Sequence, residues 1–489
     1  MDRSKVLGFA VGPIGAAVLG AVSLPASTWL FGAADIGRIA MLQTLTSFSI
    51  ILFGLGLDQS YLREFHHAKN HRVLFWTAVW PGLVILGVVS LIALGFAPMV
   101  VAHAIFGVNN TYLAWVAVLT VGTAYCSRYF SLILRMEERG LAFSMSQLLP
   151  KLIFLGTLLL IYLLHHQHSF GHLLFAHVLG VVVAMVIFAW NTRNTWFGSN
   201  GEAPDNSNSL SSMLHYGTPL MVAGLAFWGL EALDKVTLRY LSSFTQLGNY
   251  SVAVGIASLA GTLSVLFTTI WIPVAYRWAN EPDCAQRIEA VAHKLVAMAS
   301  TLICMAGAFV WTLRFLLPKE YSVVQYLLCA CMTPPVLYAA AEVTGIGVNI
   351  VRKSLPVMLI ALVACAINLI GNLILIPLLG ATGAAVSTAV AFFAMFLMRT
   401  ELSMRKWVGM HRRKLYAPLG MITLLSILYA ITGPRFSVVW MVVWPICAIV
   451  CVVLYREILT DLVRQLGGAR KPAFQSTQDS RSSGLRKEC

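Results

Sequence analysis

Charged residues are scarce in this sequence of 489 residues. Only 11% are Asp, Glu, Lys or Arg, whereas 58% are hydrophobic and the mean hydropathy is +0.78. A soluble globular protein would carry about 25% charged residues, so that class is excluded. Apolar runs of about 20 residues recur along the chain, each long enough to cross a hydrocarbon core. Because backbone groups in lipid must be satisfied within the chain, we expect an all-α polytopic membrane protein.

Paired cysteines and long outside loops are also lacking. Most of the nine cysteines lie inside apolar runs, which argues against a disulfide framework or a metal cluster. The histidines of "HHQH" (165–168) stand in a short turn without acid partners, so we expect no metal site. Outside loops of at most about 15 residues leave little material for a catalytic surface, which disfavours a membrane glycan polymerase or ligase. We therefore expect a protein that is not an enzyme and binds no cofactor.

About fourteen segments are predicted to cross the membrane. They lie at 6–31, 39–57, 74–96, 112–133, 143–164, 170–190, 213–236, 247–272, 290–313, 323–346, 355–377, 381–398, 416–433 and 437–455. The first is too long for the core of a signal peptide and is followed at once by further spans, so we predict a retained helix.

The basic residues indicate how these spans are oriented. If the N-terminus is cytoplasmic, most of the 34 Lys and Arg residues lie on the cytoplasmic side, and Lys151 lies within a span. The exceptions on the outside are Arg38, Lys235, Arg239, Arg314, Lys319 and Arg435. This bias predicts that both termini are cytoplasmic. The net charge of +14 then reflects topology and contact with anionic lipids, and nucleic-acid binding is not expected.

Two halves of the sequence resemble each other. "LFGAADIGRIAMLQTLTSF" (30–48) matches "LSSFTQLGNYSVAVGIASL" (241–259), with a predicted outside turn at Ile36-Gly37 and at Leu247-Gly248. "LGTLLLIYLL" (155–164) matches "IGNLILIPLL" (370–379). Since six spans separate the members of each pair, the repeats have the same orientation and are related by an axis along the membrane normal.

The repeat predicts two six-helix lobes with two appended helices. The expected units are an N-terminal lobe (1–190), a cytoplasmic linker (191–212), a C-terminal lobe (213–400), two additional spans (401–455) and a disordered cytoplasmic tail (456–489). Two lobes around a central site favour transport by alternating access.

The seventh span contains charges at helical spacing. The residues on one stripe are Gly224, Trp228, Glu231, Lys235 and Arg239, with Asp234 adjacent. Glu231 and Lys235 have the spacing of a favourable ion pair, and charges within a span are costly unless they are paired or face a wet cavity. The stripe is therefore expected to line the lobe interface; an interfacial anchor at the outer headgroups is the alternative.

Further charges lie in or beside other spans, and each taken alone also fits a structural role. We expect cavity cations that bind an anionic headgroup at Arg128, Lys151, Lys235 and Arg239. The candidate gating or coupling acids are Asp58, Glu231, Asp234 and Glu342. Basic residues expected at the inner mouth are Arg63, Arg135 and Arg139.

Three stretches resemble a known family. "GLDQSYLREFHH" is similar to a stretch of bacterial polysaccharide transporters, and "GATGAAVSTAV" is typical of them. "YGTPLMVAGLAFWGLEALDKVTLRYLSSFTQLGNYSVAVGIA" resembles their seventh and eighth spans, although Asp234-Lys235 replaces the common Asp-Arg and so lacks the planar guanidinium. The family is that of Wzx-type O-antigen and polysaccharide-repeat flippases, in the multidrug/oligosaccharidyl-lipid/polysaccharide exporter superfamily.

The resemblance implies a function and a location. Such a protein moves an undecaprenyl-pyrophosphate-linked oligosaccharide (an O-antigen, capsule or exopolysaccharide repeat unit) across the bacterial inner membrane, coupled to H⁺ or Na⁺. The implied partners are that substrate, membrane lipids and other polysaccharide-assembly membrane proteins. A cation-coupled multidrug antiporter of the same superfamily is the alternative. Acids would dominate its cavity, whereas the excess of basic candidates here favours an anionic substrate.

Overall fold

The computed structural model describes residues 3–164, 168–197, 209–279, 281–351, 354–407 and 409–466. In these ranges the chain is helical, with no strand. The middle of the predicted linker (198–208), the tail beyond 466 and residues 165–167 of the histidine-rich turn lie outside the described residues.

Among the described residues, nine helices precede segment 198–208. They are α1 (Arg3–Leu30), α2 (Ala33–Gly54), α3 (Leu57–Glu64), α4 (His71–Phe96), α5 (Pro98–Phe106), α6 (Thr111–Met136), α7 (Gly140–Leu164), α8 (Phe170–Asn191) and α9 (Arg193–Trp196).

Eleven helices follow it. They are α10 (Leu210–Leu241), α11 (Phe244–Trp278), α12 (Cys284–Phe309), α13 (Leu313–Leu316), α14 (Val324–Thr344), α15 (Ile346–Ile350), α16 (Ser354–Leu379), α17 (Ala381–Lys406), α18 (Arg412–Thr432), α19 (Ser437–Leu454) and α20 (Arg456–Leu466).

Thirteen segments of the described chain are long and apolar enough to cross a membrane. The 32-residue α10 is a further long helix and carries Glu231, Asp234 and Lys235 within it. The predicted fold class of about fourteen spans is thus confirmed.

Polar side chains fix the starts of several of these helices. The Asn70 side chain accepts a hydrogen bond from the Val73 amide at the start of α4. Ser209 caps α10 through the Ser212 amide, and Ser243 caps α11 through the Gln246 amide. Each cap satisfies a backbone donor that the first turn of a helix leaves without an intrahelical partner.

Two predicted turns are wrong. Ile36-Gly37 lies inside α2 and Leu247-Gly248 inside α11, and the chain instead turns just before each helix, at Gly32 and Ser243. Two polar residues are accommodated in the first turns of α2, where Arg38 Nη1 lies 2.6 Å from Asp35 Oδ1. An intrahelical ion pair therefore replaces the expected loop.

The ends of the chain and its loops contain more helix than expected. The predicted disordered tail begins with α20, and the connection between α4 and α6 contains α5. Helices α5 and α20 contain fewer apolar residues than a full span, so they are not predicted when the sequence is searched for spans of membrane length.

The helix packing repeats with a period of six spans. α1 packs on α7 as α10 packs on α16, and α7 on α8 as α16 on α17. Likewise, the packing of α2 on α6 recurs in the packing of α11 on α14, and that of α6 on α8 recurs in that of α14 on α17. The halves meet mainly through α2 with α11, α2 with α10 and α1 with α11, while α18 and α19 pack on the second half. The predicted parallel pseudo-repeat with two extra helices is therefore confirmed.

Two glycines show the repeat at atomic scale. A Cβ on Gly37 would lie 2.2 Å from the Phe244 carbonyl oxygen, and one on Gly248 would lie 1.8 Å from that of Ala33. Phe244 follows Ala33, and Gly248 follows Gly37, by 211 residues, the same offset as in the sequence repeat. The contact between α2 and α11 is thus reciprocal, as a two-fold axis between the halves requires.

We call the end of the bundle where α1 begins the N-terminal face, and the opposite end the far face.

Candidate functional site

The two halves are joined by hydrogen bonds at the far face. Trp29 Nε1 donates to the Leu316 carbonyl at 2.9 Å, and the Tyr321 hydroxyl donates to the Phe31 carbonyl at 2.8 Å. Glu320 accepts from the Ala33 amide at 2.8 Å and so caps α2 from the other half. We call these three contacts, together with the close packing of Gly37 on Phe244 and of Gly248 on Ala33, the far-face closure.

Arg239 lies beside this closure. Its guanidinium donates to the His103 and Ala104 carbonyls at 2.6 and 3.1 Å, and stacks on Phe244 at 4.5 Å. A cation on the last carbonyls of a helix such as α5 is stabilised by the helix dipole. Arg239 was expected to be a cavity cation, but the structure places it at the far face as a bridge between the halves.

The halves also touch at the N-terminal face, where α3 meets the start of α10. A Cβ on Gly56 would lie 1.9 Å from the Gly217 carbonyl oxygen, and the Ser60 hydroxyl donates to the Met213 carbonyl at 2.7 Å. Gly56 has a positive φ of 70°, which favours glycine for a second reason. Arg63 stacks on the Tyr216 ring at 4.5 Å. α3 therefore fastens the two halves near the predicted inner mouth.

Asp58 and Arg128 form an ion pair in this region. Arg128 Nη2 lies 2.9 Å from Asp58 Oδ2, and the two side chains are 39% and 19% exposed. Gln59 donates to the same carboxylate oxygen at 3.0 Å. The sequence analysis expected Arg128 as a cation and Asp58 as an acid, and the structure brings them together.

The other basic residues of the predicted inner mouth differ in environment. Arg139 donates to the Asn191 carbonyl at 3.1 Å and to the Asn191 side chain, which ties the α6–α7 connection to the end of α8. Arg135 is exposed at the end of α6. Arg139 thus holds helices together, whereas Arg135 presents its charge at the N-terminal face.

Lys151 lies inside the first half. Its ammonium group donates to the Ala16 carbonyl of α1 at 2.7 Å and lies close to Gly20. No ion pair joins Lys151 to an acid among the residues that the structure describes. The side chain is half-buried, so its charge lies within the bundle with only one backbone acceptor.

Glu231 lies on α10 near contacts of this helix with α2 and α14. One turn earlier on α10, Trp228 Nε1 donates to Ser47 of α2 at 2.9 Å, and Phe227 packs on Tyr338 of α14 with ring centroids 5.5 Å apart. Glu231 follows Phe227 by four residues, so it lies on the same face of the helix, and it is exposed in the middle of α10. We call the region around Trp228, Phe227, Tyr338 and Glu231, which the sequence predicts to line the lobe interface, the α10 cavity.

Lys235 lies one turn beyond Glu231 and is half-buried. The expected ion pair between the two is not formed, and the described residues give neither side chain a hydrogen bond. An acid and a base are thus both available, one turn apart, where α10 passes between the halves.

Asp234, adjacent in sequence, lies in a different environment. It is fully buried and accepts hydrogen bonds from Tyr250 at 2.5 Å, Thr388 at 2.6 Å, Asn372 at 2.7 Å and Asn368 at 3.0 Å. These donors come from α11, α17 and α16. Four donors around one carboxylate can compensate its desolvation. The acid therefore lies inside the second half, behind the stripe that carries Glu231.

Glu342 is paired as well. Its carboxylate lies 2.6 Å from Arg399 Nη1, and the two side chains are 9% and 8% exposed. The pair joins α14 to α17 within the second half. A candidate coupling acid of the sequence analysis is therefore held in a buried ion pair.

The sequence analysis missed the residues around these two acids. Asn368 and Asn372 lie four residues apart in the apolar "INLIGNLILIP", and this spacing on one helix face was a usable signal. Arg399, Tyr250 and Thr388 carried no such signal, because single polar residues near the ends of spans are common.

Comparisons with known proteins agree with this architecture. The chain is similar to the lipid II flippase MurJ in an inward closed conformation, with a TM-score of 0.66 and 10% identity over 94% of this chain and 100% of that one. It is also similar to the inward-facing conformation of a multidrug resistance MATE family transporter of the MOP superfamily, with a TM-score of 0.55 and 14% identity over 80% of this chain and 95% of that one. No curated protein matches by sequence.

A family model for polysaccharide biosynthesis proteins matches residues 4–278. The likeness to MurJ and to the MATE transporter shows a shared fold, in line with the superfamily expected from the sequence. Because the family model covers more than half of the sequence, the chain belongs to the polysaccharide biosynthesis protein family.

Proposed function

We propose that this chain is a flippase that moves an undecaprenyl-pyrophosphate-linked oligosaccharide from the cytoplasmic to the outer leaflet of the bacterial inner membrane. The proposal places the N-terminal face and both termini in the cytoplasm. It treats the protein as a transporter without catalysis. The repeat unit belongs to an O-antigen, a capsule or an exopolysaccharide.

The observation that carries the proposal is the pair of ammonium groups on Lys151 and Lys235. Neither forms an ion pair in the described chain, although both lie within long helices of the bundle. A basic residue at the centre of a membrane helix costs about 2.5–3.5 kcal/mol on insertion scales. A pyrophosphate entering between the halves would supply a salt-bridge partner for these ammonium groups. The basic residues nearest the N-terminal face, Arg128 and Arg63, would attract it first.

The arrangement of contacts supports alternating access. The far-face closure joins the halves by backbone and side-chain hydrogen bonds, while the exposed Glu231 borders the α10 cavity behind it. Release to the outer leaflet would require those contacts to part. Arg239, bound to α5 of the opposite half, would have to leave its carbonyl acceptors in the same step.

Asp234 supports coupling to an ion. Its carboxylate, two Asn amides and the Thr388 hydroxyl converge on one point. Protonation, or a Na⁺ held by the carboxylate, the hydroxyl and reoriented amide oxygens, would alter this network at the contact of α10 with α16 and α17. The backbone next to it carries Lys235. Ion binding at Asp234 would therefore act on its sequence neighbour Lys235 and, through it, on the α10 cavity.

The same acid supports the alternative, a cation-coupled multidrug antiporter. In that case the substrate would be a cation held by Glu231, and neutralising Lys151 would have little effect. Transport therefore depends on a basic side chain, Lys151, if the protein is a flippase, and on an acidic side chain, Glu231, if it is an antiporter.

Complementation separates them. We would express the chain in a strain that lacks its own repeat-unit flippase but retains the matching glycan assembly, and measure surface polysaccharide. The proposal predicts restoration by the wild-type chain and loss with Lys151→Gln at equal membrane abundance, with Lys406→Gln, an exposed lysine at the end of α17, as the matched control. Failure to restore polysaccharide, together with increased drug resistance that requires Glu231, would favour the antiporter.

A further inference from the structure

A second cavity lies at the far face, away from the α10 cavity. Its volume is about 430 Å³, and it is bounded by the ends of α12 and α14 and by α18 and α19. Six aromatic side chains line it, and the Tyr429 ring lies 5.2 Å from that of Trp440 and 5.6 Å from that of Trp444, measured between centroids. Pockets that hold small organic groups have volumes of roughly 300–1,000 Å³ and mostly apolar walls. This cavity has the size and the lining of a ligand site.

One cation stands at its rim. Arg314 Nε donates to the Gln325 side chain at 2.9 Å, which fixes the plane of the guanidinium. In the described part of the chain no acid pairs with Arg314, and its Nη atoms donate no hydrogen bond. The Gln325 side chain is itself buried. A buried residue therefore orients an arginine whose strongest donors remain available to a ligand.

A second donor is buried in the wall. Trp444 is only 1% exposed, and its Nε1 has no hydrogen-bond acceptor. Buried indole N–H groups are normally satisfied, so an orphan that borders a cavity indicates that an acceptor belongs there. The neighbouring Trp440 shows the contrast, since its Nε1 donates to Thr432 at 2.9 Å.

An adjoining cavity of about 350 Å³ extends the site. It shares Arg314 and Gln325 with the first and is bordered by Lys319, Tyr321 and Ser322. Two adjacent residues, Glu320 and Tyr321, form part of the far-face closure. Burial raises the pKa of the Tyr321 hydroxyl far above its usual value, so this group remains a donor to Phe31. A ligand here would touch the segment that holds the halves together.

We propose that these joined cavities bind the phosphate of a membrane lipid. The guanidinium of Arg314 and the ammonium of Lys319 supply the positive charge, and Arg binds phosphate with two parallel donors. The lipid-facing residues of α19 beside the opening, Met441 and Val438, are 46% and 73% exposed and would contact an acyl or polyprenyl chain. An aromatic belt at the membrane surface explains exposed rings. It does not explain a concave site with a buried orphan N–H.

The site does not depend on the proposed substrate of transport. Lipid phosphate could come from a glycerophospholipid or from a polyprenyl phosphate carrier. The binding groups are the same for both, so the experiment has to compare the two lipids.

Native mass spectrometry of the full chain in detergent tests the proposal. Delipidated protein would be titrated with phosphatidylglycerol, with undecaprenyl phosphate and with diacylglycerol, which has the tails but no phosphate. We expect one retained molecule of at least one phosphate lipid, and no retention of diacylglycerol. Retention of phosphatidylglycerol alone would identify a phospholipid as the source, and retention of undecaprenyl phosphate alone would identify the carrier.

Variants locate the bound lipid. Arg314→Gln should weaken retention about tenfold, since it removes a charged donor pair, and Trp444→Phe should weaken it less. Ser437→Trp, which fills the cavity mouth and leaves both donors in place, should also displace the lipid. Arg435→Gln is the matched control, because Arg435 is a nearby exposed cation that stacks on Phe436 and does not border either cavity. Unchanged retention in Arg314→Gln and Ser437→Trp, or equal retention of diacylglycerol, would overturn the proposal.

Discussion

The Glu342 carboxylate lies 2.6 Å from Arg399 Nη1, and both side chains are more than nine-tenths buried. Arg399 also packs against Gly345, where a Cβ would lie 2.8 Å from its Cγ. The ion pair is thus enclosed between α14 and α17. Buried pairs of this kind fix the geometry of their helices, because either charge left alone would be desolvated without compensation.

Removing one member of this pair should destabilise the protein. Glu342→Gln leaves Arg399 charged and buried, so we expect a loss of about 3–5 kcal/mol in the free energy of unfolding. Glu342→Met combined with Arg399→Met should recover much of it. Thermal unfolding of purified protein measures both, and equal melting temperatures for wild type and Glu342→Gln would contradict a structural pair.

The glycine contacts of α2 and α11 make a second prediction. Gly248→Ala introduces a Cβ 1.8 Å from the Ala33 carbonyl oxygen, so the two backbones must separate. We expect the far-face closure to open, with faster hydrogen–deuterium exchange at the start of α2. Gly87→Ala is the control, since nothing lies within 4 Å of its added Cβ. Identical exchange in both variants would show that the closure tolerates the displacement.

Asp234→Asn tests the ion-coupling step. The substitution removes the charge on which four donors converge, so we expect transport to be lost under both a Na⁺ and a pH gradient while membrane abundance is kept. Transport into membrane vesicles with each gradient imposed separately measures this. Asp461→Asn, an exposed acid of α20, is the control. Retained transport in Asp234→Asn under either gradient would assign Asp234 a purely structural role.

The comparison of Asp234 with Glu231 shows how far a sequence determines such a site. The stripe through Trp228 and Glu231 follows from helical periodicity, and in the structure Trp228 contacts Ser47 of α2 while Glu231 is exposed. The burial of Asp234 depends on which residues of α16 and α17 face α10. Those helices follow more than a hundred residues later, so helix spacing within one span cannot specify the contact.

The repeat could be predicted more fully from the sequence than the surroundings of Asp234. The offset of 211 residues predicts that Ala33 corresponds to Phe244, and these residues do make equivalent contacts with Gly248 and Gly37. The predicted turns failed because the chain reverses a few residues earlier, at Gly32 and Ser243, and a helix begins directly after each. The contacts of Arg239 could not be predicted, since its carbonyl acceptors belong to α5, which was not predicted.

Orientation is open to a direct test. We expect a fluorescent reporter that matures only in the cytoplasm to be bright when fused to the C-terminus, and dark when inserted at Lys319 in the far-face connection. The bias of basic residues towards the N-terminal face is the reason. Bright fluorescence at Lys319 and a dark, stable C-terminal fusion would reverse the orientation.

The central claim is that the chain itself moves a lipid-linked oligosaccharide, with Lys151 and Lys235 binding the pyrophosphate. The direct measurement uses purified protein in liposomes that contain an undecaprenyl-pyrophosphate-linked oligosaccharide, with an added glycosidase or lectin that reports how much glycan is accessible outside. The account predicts that accessibility rises beyond the initial outer-leaflet fraction with wild-type protein and with Lys406→Gln, and that Lys151→Gln combined with Lys235→Gln slows the rise at least about tenfold. No rise with folded wild-type protein, or the same rate in the double variant, would contradict it.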